Sequence, residues 1–139
     1  MTKLYYHATD TVFDRFDPAM LASKGATNGN LGVWVGNERA ECEMFGEVLM
    51  TLSVPDVVAY PMEYRELKDL HDETREMDGK EAAEFYRGFS RELMAEGYTV
   101  IDIHEMRGVL HSILLDLDSI IVESCEIMEK EKLSVWGRK

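Results

Sequence analysis

The residues of this 139-residue chain best suited to chemistry are its four histidines. An imidazole exchanges a proton near neutral pH, and both ring nitrogens can hydrogen-bond. His71 lies in a highly charged stretch and reads as solvent-facing, and His104, just before Glu105, reads as part of a surface loop. His7 is different: it sits in the aromatic run Lys3–Thr9, directly before the small residues Ala8 and Thr9. His111 opens a second apolar run, His111–Leu115. Each of these two is either a hydrogen-bonded, half-buried strand histidine or a group that works on a ligand. Position alone leaves both readings open. Asp116 and Asp118 flank Leu117 and could hold a cation or do acid–base work, but a turn after a strand accounts for them as well and is the reading preferred here.

Other chemistries fail on spacing. The chain has neither the GxGxxG of dinucleotide-binding folds nor the GxxxxGK[ST] of a P-loop. It lacks a GxSxG elbow and a CxxC pair. His104-Glu105 does not extend to HExxH, because position 108 is Gly108. The acidic run Asp69–Asp78 lacks the alternation and closing glutamate of a calcium loop. Cys42 and Cys125 make neither a disulfide framework nor a zinc site. The expectation is therefore a protein that works without a metal.

Charge narrows the partners. Fifteen Lys and Arg against 27 Asp and Glu give a net charge of −12. No Lys/Arg cluster offsets that field, so electrostatic binding of nucleic acid is not expected. No apolar run approaches the roughly 20 residues of a membrane span, and the start MTKLYY lacks the apolar core of a signal peptide. With 45% hydrophobic and 30% charged residues, the chain reads as one compact cytoplasmic domain over 1–139.

The elements that must position the histidines follow from patterning. Lys3–Thr9 is the first strand; Asp10–Asn30 is connection, with a helical turn at Met20–Ser23. Leu31–Val35, between Gly32 and Gly36, is the second strand. Asn37 is then placed to cap a short helix that ends near Gly46. Glu47–Val54 and Val57–Tyr60 are strands separated by Pro55. Met62–Gly79, charged and weakly periodic, reads as a solvated helix followed by a loop. Glu81–Glu96 has the clearest helical spacing, with Gly97 as its stop. Tyr98–Ile103, His111–Leu115 and Ile120–Cys125 are β-prone, and Leu133–Trp136 could add an edge strand. Strands at both ends with helices inserted give an α+β class.

Taken in order, several of these segments resemble an ADP-ribosyltransferase domain. YYHAT, a glycine-bearing loop, GNLGVWVGNERAECEMFG and VLMTLSVPDVVAYP are similar to the start of that family. EGYTVIDI and HSILLDLDSIIV look like its later strands, so the resemblance spans about residues 3–122. It is strongest to the His-Tyr-Glu branch shared by diphtheria-like toxins, poly-ADP-ribose polymerases and small transferases of phages and mobile elements. The resemblance implies split central β-sheets with short helices around an NAD+ cleft.

Residue by residue, His7 matches the first triad member, which holds a ribose hydroxyl. The backbone of Ala8 matches the position that pairs with the nicotinamide carboxamide, and Thr9 matches the rim of that pocket. Trp34 stands for the triad tyrosine that stacks on nicotinamide, and Phe45 for the second aromatic. Arg15 and Lys24 are the candidates for the NAD+ pyrophosphate, although either also reads as an ordinary surface charge. The family's catalytic glutamate falls on His111, with Glu105 as the substitute if the register differs. A neutral imidazole keeps a hydrogen bond but not the negative charge. Losing a charged hydrogen bond costs about 1.5–3 kcal/mol, roughly 10- to 150-fold in rate.

The resemblance thus implies an NAD+-dependent mono-ADP-ribosyltransferase acting on an unidentified protein or small-molecule acceptor, with NAD+ as co-substrate and no metal. The missing glutamate points instead to a binding module that keeps the fold without the chemistry, engaging NAD+, ADP-ribose or a basic partner. The net charge alone would suit a phage-encoded acidic inhibitor that mimics nucleic acid.

Overall fold

The computed structural model describes residues 2–9, 13, 15–16, 28–43, 46–106 and 108–128. In chain order its elements are β1 (Thr2–Thr9), a 3-10 turn at Asn28–Leu31, β2 (Val33–Val35), α1 (Arg39–Cys42), β3 (Val48–Pro55), β4 (Ala59–Glu63), α2 (Tyr64–Thr74), α3 (Gly79–Ala95), β5 (Val100–Glu105), β6 (Gly108–Leu114), a 3-10 turn at Leu117–Ser119 and β7 (Ile121–Ile127). The strands form two sheets, one in the order β1-β3-β7 and one in the order β2-β6-β5-β4. All pairs are antiparallel except β4 with β5, whose connection runs through α2 and α3. A parallel pair needs such a crossover. The chain is thus an α+β domain, as its sequence pattern implies, with its strands divided between two sheets.

The four-stranded sheet is the middle layer, so β5 buries Val100, Ile101 and Ile103 across its two faces. Alternate residues of β5 point to opposite faces. Val100 joins Leu114, Val33, Val35, Tyr5, Met50 and Leu52 in a core between the sheets. Ile101, Ile103 and Ile113 face the other way and pack with Leu67, Leu70, Tyr86 and Leu93 of the helices. Fully burying each such aliphatic side chain is worth about 1.5–3 kcal/mol.

Several boundaries differ from the sequence reading, each for a local reason. Leu31 belongs to the 3-10 turn, and β2 keeps only Val33–Val35. Glu38, not Asn37, is the residue preceding α1, and it makes no side-chain cap; Asn37 instead donates through Nδ2 to Ser112 Oγ at 3.4 Å. β4 begins at Ala59 and runs through Pro61 to Glu63. Proline is tolerated there because β4 is an edge strand with one unpaired side. α2 is amphipathic rather than fully solvated, burying Leu67, Leu70 and Thr74 on one side. α3 starts two residues early, where Asp78 accepts the Glu81 N–H at 2.8 Å as its N-cap. Gly97, at φ +100°, follows its C-terminus. The turn expected at Met20–Ser23 and the strand at Leu133–Trp136 lie outside the described residues.

α3 also sets the position of β2. Ser90 Oγ donates to the Leu31 carbonyl at 2.5 Å, and Arg87 Nη2 donates to Asn30 Oδ1 at 3.2 Å. Both contacts hold the 3-10 turn that feeds β2. Gly32 then passes so close to β6 that a Cβ there would overlap the Leu114 carbonyl oxygen.

Two glycine substitutions separate these effects. Gly32→Ala must push β2 away from β6 and is expected to cost about 1–3 kcal/mol. Gly88→Ala in α3, where the nearest atom to a new Cβ is Arg91 Nη2 at 3.8 Å, should gain about 0.5–1 kcal/mol. Urea unfolding of both variants checks the pair; equal stabilities would refute this account of Gly32.

Candidate functional site

Where the two sheets meet, the chain leaves a cleft of about 300 Å³. β1 contributes Tyr6, His7 and Ala8, β2 and its exit contribute Trp34, Val35 and Gly36, α1 contributes Cys42, and β6 contributes His111. Its floor is a seam of hydrogen bonds. Tyr6 N–H donates to Gly36 O at 3.0 Å, and Gly36 N–H returns to Tyr6 O at 2.9 Å. The Cys42 thiol also donates to Tyr6 O, at 3.3 Å.

His7 reinforces the seam. Its Nδ1 lies 2.8 Å from the Trp34 carbonyl oxygen. A carbonyl only accepts, so Nδ1 carries the hydrogen in this bond. The ring also packs edge-on against Phe16, with centroids 5.6 Å apart, and Phe16 in turn meets Phe13. A hydrogen bond on one nitrogen and an aromatic edge on the ring fix its orientation. The rings of Trp34 and His111 meet at 64° with centroids 6.3 Å apart. Both are half-buried, as side chains that pack on one side and face a cleft on the other must be.

Beneath His111 the far face of β6 is pinned. Ser112 is fully buried and donates to Asp102 Oδ1 of β5 at 2.7 Å, while accepting from Asn37. Tyr5, two residues before His7 on the same side of β1, is also fully buried. Its hydroxyl has no hydrogen-bond partner among the described residues. Burial, then the charge of Asp102, push that phenol well above the usual tyrosine range.

Of the residues singled out from sequence, His7, Ala8, Trp34 and His111 line this one cleft. Thr9 follows Ala8 at the end of β1, where Gly46 packs closely on its backbone, and it does not line the cleft. Glu105 is exposed at the end of β5, paired with Gly108. It borders a separate groove with Glu63, Arg65 and Met106. The irregular register between Ile103 and His104 carries it toward the hairpin tip, so it does not stand in for His111 in the cleft. Arg15 is exposed and borders another depression, with Phe16, Leu117 and Asp118. Phe45 and Lys24 lie outside the described residues. Asp116 and Asp118 form the expected turn, with the Ser119 N–H donating to the Asp116 carbonyl at 3.2 Å. His71 is exposed on α2; His104 is half-buried in β5 rather than in a loop.

Sequence reasoning missed Tyr6 and Cys42. Tyr6 adjoins His7 and could have been found by asking which neighbour flanks a cleft at a strand end. Cys42 carries no such signal, because a four-residue helix is too short for its periodicity to show which face turns inward.

Among the described residues, no group of three or more His, Cys, Asp or Glu side chains could hold a metal ion. No helix among them is long and apolar enough to cross a membrane. No family model matches the chain, and no curated protein matches it significantly. A solved structure described as the crystal structure of an anti-CRISPR protein is similar in shape, with a TM-score of 0.48 and 14% identity. The match covers 87% of this chain and 95% of that one.

The two thiols offer a check on the cleft. Cys125 is exposed and Cys42 is buried, so an alkylating reagent should modify Cys125 at least about tenfold faster. A small ligand occupying the cleft should slow Cys42 further and leave Cys125 unchanged. Peptide mass spectrometry over time reads both rates, and equal reactivity would show that the cleft is open to solvent at Cys42.

Proposed function

We propose that this protein is an NAD+-dependent mono-ADP-ribosyltransferase, moving ADP-ribose to an acceptor and releasing nicotinamide. The observation that carries this reading is the convergence of His7, Ala8, Trp34 and His111 on one cleft. They come from three strands of two sheets, and they match the residues that the family resemblance implies for the nicotinamide end of NAD+. A volume of about 300 Å³ lies at the lower end of ligand pockets, which run to about 1,000 Å³. It suits the nicotinamide and its ribose, with the rest of the dinucleotide passing over the rim.

In this reading the Trp34 indole packs against the nicotinamide ring, whose positive charge favours an aromatic face. The extended backbone at Ala8 pairs with the carboxamide, and the small side chain lets the ring approach. His7, held by the Trp34 carbonyl, presents its imidazole to a ribose hydroxyl. Catalysis then rests on stabilising charge as the glycosidic bond loosens. The two free thiols suit a reducing, cytoplasmic setting, where NAD+ is plentiful.

A second reading has its own support. None of the described residues lining the cleft is acidic, so no carboxylate among them answers the developing positive charge. That favours a module that binds NAD+ or ADP-ribose without turning it over, with its acidic surface engaging a basic partner.

Calorimetric titration with NAD+, with nicotinamide release followed in the same samples, separates the two. Release on binding supports the transferase, and binding without release supports the module. Trp34→Ala should weaken NAD+ binding about tenfold, the loss of roughly 1.5 kcal/mol of ring contact. Absence of NAD+ binding by the unmodified protein would refute the transferase, and absence of ADP-ribose binding as well would refute the module.

A further inference from the structure

Resting on the transferase reading, we propose that His111 is the general base for the acceptor and that the acceptor nucleophile is a neutral hydroxyl. The described residues lining the cleft are two histidines, a tryptophan, a tyrosine, a cysteine, an alanine, a valine and a glycine. A guanidinium acceptor would meet no opposite charge among these groups. A carboxylate acceptor needs no base, and a protein of net charge −12 repels it at long range. A hydroxyl enters without a charge partner but must lose a proton as it attacks. Imidazole is the side chain most often used for that transfer.

The surroundings of His111 favour such a role over a purely structural one. It lines the cleft from β6, together with His7 from β1. Its ring is bounded by the Trp34 edge, and on the neighbouring strand it is registered against Ile103. Ser112, next in sequence, is locked on the other face of the strand by its 2.7 Å bond to Asp102. The backbone that carries the imidazole is therefore held on both sides. The ring that packs beside Trp34 also stands beside the place where the nicotinamide ribose would lie.

The step balances without an oxidant or a metal. A lone pair of the acceptor oxygen forms the new bond to the anomeric carbon of the nicotinamide ribose. The carbon–nitrogen glycosidic bond breaks with its electron pair moving to the pyridinium nitrogen, and neutral nicotinamide leaves. The hydroxyl proton passes to a His111 nitrogen and then to solvent. One positive charge is discharged on the pyridinium as one appears on the imidazole.

The test uses the whole chain, NAD+ and three simple acceptors: water, methanol as a hydroxyl, and agmatine as a guanidinium. Nicotinamide release with methyl-ADP-ribose formed from methanol, and no agmatine adduct, is the expected result. His111→Gln should lower kcat with water and methanol about 100-fold, while KM for NAD+ stays within about threefold. Added imidazole should restore part of the activity of His111→Ala, which a merely structural role would not allow. Thermal melts confirm that both variants are folded. An agmatine adduct, or a His111→Gln kcat within about threefold of the parent, would overturn this inference while leaving the transferase reading standing. NAD+ binding with no release to any of the three acceptors, or failure to bind NAD+, would instead remove the reading on which it rests.

Discussion

Two backbone hydrogen bonds, between Tyr6 and Gly36, join the three-stranded sheet to the four-stranded one. They are the backbone pairing between the sheets among the described residues, and the features of the cleft are arranged around them. Tyr6 must be extended to make both bonds, which directs His7 toward the opposite sheet. Gly36 follows β2 directly, so Trp34, two residues earlier, falls beside His7 and offers its carbonyl to Nδ1. The thiol of Cys42 shares the Tyr6 carbonyl and brings α1 down over the same point. One pairing thus fixes three walls of the site, and β6 supplies the fourth.

Support for that pairing comes from well away. β2 is only three residues long, too short to hold its own place, and it depends on the strand and helix beside it. β6 pairs with it along Val33–Val35, and Gly32 permits the approach. α3, whose buried face includes Tyr86 and Leu93, fixes the turn before β2 through Ser90 and Arg87. The charged helical half of the molecule, distant from any chemistry, thereby sets where Trp34 stands.

The fold was legible where periodicity is strong. The spacing of Ala82, Phe85, Tyr86, Phe89 and Leu93 marks α3, and the β-prone run Tyr98–Ile103 marks β5. It was less legible where tertiary contacts override local signals. Asn37 looks like a helix cap but is drawn to Ser112, and Pro61 looks like a strand breaker but sits on an edge. The site divides in the same way. That His7, Ala8, Trp34 and His111 share a cleft follows from strand order across two sheets, which no single segment encodes; an ordered resemblance over about residues 3–122 was needed to group them. Nothing comparable constrained Glu105 or Arg15, whose directions depend on a shifted register and on the course of a loop.

The order of strands within the sheets has a kinetic consequence. β1 pairs with β3, β3 with β7, and β2 with β6, so most sheet contacts join segments distant in sequence. Such topologies fold slowly, because loop-closure entropy is spent before the pairing that rewards it. The β5–β6 hairpin is the most local of the strand pairings and is suited to form early, whereas the parallel β4–β5 pairing must span the two helices. The Tyr6–Gly36 junction requires both sheets to exist first. The pocket is therefore the last part of the architecture to be completed, and a chain that has collapsed around its helices can hold most of its secondary structure while its ligand site is still unmade.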